Sequence, residues 1–231
     1  MPAALVTAAL LTARAYSPVI APLLTVLPRD ATLPPPEALQ AVLVASGNAV
    51  DHLPAAYRRL RLLAVGDATA RRARDAGHAE VASAAADAAR LAALAGGTLD
   101  PAGKPLLLAV GEGQGAGLEA ALIAQGFRVL RRAVYTTVAA TALPAAARAA
   151  LAAPGRQGAE GQALRAGLFF SAATARVFRA LVTAEGLTAR LGAVVALAIS
   201  AGTAAELRSL PWREVREASH PNQEALLALL P

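Results

Sequence analysis

Ala64-Val65-Gly66-Asp67-Ala68-Thr69-Ala70 and Ala198-Ile199-Ser200-Ala201-Gly202-Thr203-Ala204 are the two stretches on which the fold turns. In each, an apolar run gives way to a small residue and then to an Ala-rich segment, the pattern of a strand feeding a helix N-terminus. At the same shift Glu80-Val81 falls on Glu214-Val215, and Leu91 lies one residue from Leu226. Upstream, Leu43-Val44-Ala45-Ser46 matches Leu168-Phe169-Phe170-Ser171 at a slightly smaller shift. Self-similarity at a fixed offset marks repeated architecture, so two variants of one strand–helix unit are expected.

Outward from these stretches, short β-like runs alternate with helical ones, the signature of an α/β fold with parallel sheets. Strands are expected at 41–45, 61–65, 80–82, 105–110, 128–134, 167–170, 194–199 and 214–218. Helices are expected at 47–53, 67–76, 86–94, 115–125, 143–152, 174–184, 203–210 and 222–229. Gly77, Gly96-Gly97 and Gly126 stand where helices should stop. A proline-rich connector (28–36) and a β-branched one (133–140) separate the lobes and read as inter-domain linker strands. Two connectors imply that a middle domain, 37–132, is inserted into an outer one built from 1–27 and 141–231. The class is therefore α/β, with two flavodoxin-like parallel-sheet domains joined by a two-stranded linker.

The 231 residues are 56% hydrophobic and 16% charged, with no cysteine and a formal charge of +6. Without cysteine there are no disulfides, thiolate chemistry or Cys-ligated zinc, and His52, His78 and His220 have no metal-ligand spacing. No metal or cofactor is expected. The longest charge-free run, 191–205, is too short to span a bilayer. The apolar start lacks the positive segment of an export signal, so a cytoplasmic protein without membrane association is expected. Dispersed arginines and few aromatics argue against a nucleic-acid partner and suit a polyanionic small molecule.

In open α/β sheets ligands bind beyond the carboxyl ends of the strands, where helix N-termini present free N–H groups to anions. Ser46, Gly47, Asn48, Gly66, Thr69, Gly111, Ser171, Ser200 and Thr203 fall at such positions. Ordinary helix capping is the competing reading for each Ser or Thr. Gly111-Glu112-Gly113-Gln114-Gly115-Ala116-Gly117 imitates a dinucleotide fingerprint. It follows the fourth strand of its lobe, however, and Arg131-Arg132 stands where an acidic residue belongs. A flexible Gly-rich turn is the expectation, with NADP binding as the competing reading. No Ser-His-acid constellation is legible. Tyr135, in a connector, could donate a proton to a substrate oxygen; packing of its ring is the alternative.

Taken in order, these segments resemble the uroporphyrinogen-III synthases. Leu43 to Val50 is similar to their Phe-Thr-Ser-x-Asn-Ala-Val segment, Ala64 to Ala70 to their Ala-Val-Gly-x-x-Thr-Ala turn, and Ala133-Val134-Tyr135 to their Val-Tyr. Gly111, Leu168 to Ser171, Ala198 to Ser200 and His220-Pro221-Asn222-Gln223-Glu224-Ala225-Leu226 complete the series. The resemblance implies a cofactor-free lyase of heme biosynthesis acting as a monomer. It would cyclise hydroxymethylbilane to uroporphyrinogen III, with loss of water and inversion of ring D through a spiro intermediate. It further implies Tyr135 as the catalytic residue, with Pro221 joining the residues above in binding substrate. A non-catalytic two-lobed module for an anionic small molecule is the alternative. Two departures stand out: Ala45 replaces a threonine, and a helix-like 3–15 stands where the family has a strand followed by a helix. The expectation is that the first strand of the outer domain is missing.

Overall fold

The computed structural model describes residues 3–85, 87–152 and 164–231. The chain divides into two compact units, one of Met1–Thr25 with Ala139–Pro231 and one of Val26–Val138.

In the Val26–Val138 unit, strands β2 (Ala41–Val44), β3 (Leu62–Ala64), β4 (Val81–Ser83), β5 (Leu106–Gly111) and β6 (Val129–Ala139) alternate with helices α2 (Gly47–Asp51), α3 (Asp67–Asp75), α4 (Ala88–Thr98) and α5 (Ala116–Ala124). The sheet order is β6-β5-β2-β3-β4, every pair parallel, with β1 (Leu24–Pro28) on the outer side of β6. Side chains of a strand alternate between faces, and both faces are covered here. Val42, Val44, Leu62, Ala64, Leu107 and Ala109 pack with α2 and α3 residues on one side. Ala41, Leu43, Leu63, Leu106 and Leu108 meet Leu91 of α4 and Leu122 of α5 on the other.

The remaining unit repeats part of this plan. Strands β7 (Ala166–Phe169), β8 (Val195–Ala198) and β9 (Glu214–Glu217) form a parallel sheet in that order. Helices α6 (Ala145–Ala152), α7 (Ala172–Ala184), α8 (Ala201–Leu207) and α9 (Gln223–Leu227) accompany it. Phe169, Phe178 and Trp212 form an aromatic cluster on one face, with ring centroids 5.1–5.8 Å apart. The N-terminal segment is helix α1 (Ala3–Thr12), in keeping with the helical expectation for 3–15. Arg14 and Tyr16 tie its end to the carbonyls of Leu227 and Pro231.

Four expectations change. Gly96 and Gly97 lie inside α4 instead of ending it, and a Cβ at Gly96 would collide with Gln125, so that glycine serves close helix packing. The strand at 128–134 and the connector at 133–140 are one continuous element, β6. In the first connector the strand is Leu24–Pro28, upstream of most of the prolines. The helix expected at 86–94 begins at Ala88; residue 86 lies outside the described residues. Among the described residues no helix is long and apolar enough to cross a membrane.

Candidate functional site

The register between β5 and β6 builds the neighbourhood of Tyr135. Val110 pairs with Ala133 but Gly111 pairs with Tyr135, so Val134 is an extra residue. A bulge of this kind, uncommon in parallel pairs, re-aims the side chain that follows it. The Tyr135 ring consequently lies against Gly111, where an added Cβ would stand 2.7 Å from the ring Cζ and 2.9 Å from the phenol oxygen. Only glycine leaves room for the ring. Tyr135 is 3% exposed, a buried residue of β6, because that strand runs unbroken through the connector in which the residue was expected. Its O–H donates to Gln114 Oε1 at 3.3 Å, and the His52 ring lies 6.0 Å away, tilted by 44°.

The Gly-rich turn supplies Gln114. Gln114 N–H donates to Gly111 O at 3.0 Å, and Gly113 between them has φ of 73°, the left-handed region that a tight turn reserves for glycine. Glu112 N–H donates to Tyr135 O, and Arg131 donates to Gln114 O, both at 2.9 Å. The turn is thus anchored to β6 at two points and fixes the amide that receives the phenol.

Other expected residues of this unit sit at helix starts. Ser46 caps α2, its hydroxyl accepting from Asn48 N–H at 3.2 Å. Gly47 leaves space for the Arg72 stem, and Arg72 is paired with Asp51, its Nε donating to Oδ1 at 2.7 Å. Gly66 precedes α3 without a side-chain cap and faces open space, and Thr69 in the first turn of α3 is half-buried. The α3 start is therefore less occupied by its own side chains than the Ser-capped ones, although Asp67 places a carboxylate there. Elsewhere in this unit, an open cavity of about 560 Å³ is lined by Arg29, Asp30, Thr32, Asp51 and His52. Arg29 pairs with Glu112 at 2.5 Å.

In the other unit Ser171 and Ser200 cap α7 and α8. Ser171 accepts from Thr174 N–H at 3.1 Å and Ser200 from Thr203 N–H at 3.4 Å. Thr203 is fully buried, its hydroxyl 3.1 Å from that of Ser200; capping consumes this pair. Pro221 is exposed, one residue before the Asn222 cap of α9.

Sequence reasoning missed Gln114, His52 and the Asp51–Arg72 pair as neighbours of these residues. Gln114 alone had a local signal, its place inside a glycine turn. Burial, with Glu37 nearby, raises the Tyr57 phenol, which donates to Pro34 O. Burial, with Arg58 nearby, lowers the His78 imidazole. The Arg148 guanidinium and Leu143 N–H hold the Glu185 carboxyl below its usual range. Each of these serves local structure. Among the described residues no three acidic or imidazole side chains converge as a metal site.

The profile of the uroporphyrinogen-III synthase HemD family matches residues 6–228. A crystal structure of uroporphyrinogen-III synthetase from Helicobacter pylori superposes with a TM-score of 0.62 at 18% identity, covering 93% of this chain and 94% of that one. A mutant uroporphyrinogen III synthase from the extremely thermophilic bacterium Thermus thermophilus gives 0.51 at 22%, covering 96% and 91%. At such identities these two report the shared α/β fold. No protein of curated function is similar to the chain in sequence. The match over residues 6–228 places the chain in the uroporphyrinogen-III synthase family.

Proposed function

We propose that the protein is a uroporphyrinogen-III synthase, converting hydroxymethylbilane into uroporphyrinogen III in heme biosynthesis. The observation that carries this reading, within a family of that activity, is a phenol seated on Gly111 by a bulge and held by Gln114. Tyr135 donates its proton to the substrate hydroxymethyl oxygen. The C–O bond breaks, water leaves, and the terminal ring becomes an azafulvene cation. Its methylene carbon then bonds to the substituted carbon of ring D, giving a spiro intermediate. That intermediate reopens at the older bond, the methylene carbon so released recloses on the free α-carbon of ring D, and proton loss restores the aromatic pyrrole. Water leaves and nothing is oxidised, so the chemistry needs a proton donor and enforced ring geometry.

Substrate carboxylates are received at the helix starts marked by Ser46, Gly47, Asn48, Gly66 and Thr69, and by Gly111, Ser171 and Pro221. The α3 start at Gly66 has no side-chain cap, so its free N–H groups are open to a carboxylate beside Asp67.

A coupled assay supplying freshly generated hydroxymethylbilane, with isomers separated after oxidation, tests the activity. Type III product above the enzyme-free control is expected, and Tyr135→Phe should lower kcat by roughly 10²-fold, the low end for loss of a positioned acid. Folded protein that gives only type I product overturns the reading. Substrate affinity without turnover would instead indicate a binding module.

A further inference from the structure

Val134 is the extra residue of β6, and it separates two side chains that a regular strand would set on one face. Arg131 stands opposite Leu108, and Tyr135 opposite Gly111. Leu108 belongs to the core shared with α4 and α5, whereas Tyr135 joins the one shared with α2 and α3. Without the bulge, residues 131 and 135 would lie on the same side. With it, arginine and phenol stand on opposite sides of the sheet, and the Gly-rich turn beyond β5 touches both.

Arg131 Nε donates to Glu119 Oε2 of α5 at 2.6 Å, and its Nη1 to Gln114 O at 2.9 Å. Across the end of the sheet, Gln114 Oε1 accepts the Tyr135 O–H at 3.3 Å. The turn by itself holds Gln114 weakly. The residue is exposed, and it stands between Gly113 and Gly115, with φ of 73° and 85°, the residue type that loses most freedom when fixed. A hydrogen bond from a guanidinium is charge-assisted and about twice as strong as a neutral one. Glu119, whose side chain is 25% exposed, fixes the guanidinium that makes it. A carboxamide offers an acceptor oxygen and two N–H donors. Held at that point, it accepts from the phenol before proton transfer and, turned over, donates to the phenolate left behind.

We infer that Arg131, locked by Glu119, is a positioning residue for the Tyr135 acid and acts through Gln114 from the opposite face of the sheet. This rests on the reading of Tyr135 as the proton donor. Losing the guanidinium leaves the phenol seated on Gly111 but frees its partner, so the cost falls on proton transfer and not on substrate affinity.

The test measures kcat and KM for type III product from hydroxymethylbilane, with Arg131→Gln made alone and together with Tyr135→Phe. Alone, it is expected to lower kcat about tenfold, within the ~10²-fold that a misplaced group can cost, with KM changed less than twofold. Glu119→Gln should lower kcat severalfold in the same way. On Tyr135→Phe, Arg131→Gln should cost less than a further twofold. Arg132→Gln removes the same charge one residue along and should leave kcat within twofold. If Arg131→Gln fails to fold, Arg131→Lys, with one ammonium for two partners, takes its place with the same expected pattern. Loss of rate in Tyr135→Phe but none in Arg131→Gln overturns the inference and leaves the acid reading standing. Equal losses with and without the phenol overturn it as a general structural effect, and a raised KM at constant kcat overturns it in favour of a substrate contact. Full rate in Tyr135→Phe removes the acid reading first, and the inference with it.

Discussion

Strands β2 and β7 start from nearly the same sequence and end on the same serine cap, yet β2 is buried at all four positions and β7 only at Phe169. The two differ in what lies beside them. β2 has parallel neighbours on both sides, β3 and β5, whereas β7 has β8 alone among the described residues. A strand's propensity is a fit to its surroundings, and here similar apolar residues form a sealed core in one unit and a groove wall in the other. Helices follow suit: Leu118 and Leu122 of α5 are buried, while Leu5, Val6 and Leu10 of α1 are 42–43% exposed.

Matched truncations would break this comparison most directly. Leu43→Ala should cost about 2–5 kcal/mol, the range for a buried leucine, whereas Leu168→Ala, on the open edge, should cost under about 1 kcal/mol. Chemical denaturation followed separately in each unit would measure both, and equal costs would remove the distinction. Next in size, Gly111→Ala should destabilise the Val26–Val138 unit by about 1–3 kcal/mol, because the new methyl meets the Tyr135 ring. Activity should fall with it, and Gly111→Ala combined with Tyr135→Phe should recover none of that activity. The smallest expected effect concerns pH. His78 is 6% exposed and its Nδ1 has no hydrogen-bond partner among the described residues, and burial lowers its imidazole below the usual value. As pH falls through about 6.5 the unfolded chain gains a proton that the folded one does not, so stability declines by at most about 1.4 kcal/mol per pH unit. His220, in the other unit, is exposed. Midpoints measured between pH 7 and 5 should therefore drift in the His78 unit, and His78→Leu should flatten that drift.

Most elements were legible because their signals are local. Apolar runs ending at Ser46, Gly66, Ser171 and Ser200 coincide with strand-to-helix junctions, and Gly77 and Gly126 take the positive φ expected after helices. What escaped was set by partners distant in sequence. The bulge that buries Tyr135 exists only in the pairing of β6 with β5. The role of Gln114 requires Arg131 and Tyr135 to be brought beside it. Thr69 and Thr203 occupy matching places in the repeat, yet Thr203 is fully buried and Thr69 is not. Gly96 resembled a helix stop until Gln125 was placed against it.

The interruption of one unit by the other has a kinetic consequence. Val26–Val138 is continuous in sequence, so its contacts close short loops, while the other unit must join residues before 26 to residues after 138. Closing so long a loop in a free chain carries an entropy cost that grows with its length. A folded Val26–Val138 segment removes most of that cost, since Ala140 N–H then meets Leu23 O at 2.9 Å. The continuous unit should accordingly fold first, also during synthesis, where β7, β8 and β9 emerge last. Pulsed hydrogen exchange during refolding would register the order as amides of β2 and β5 protected ahead of those of β8.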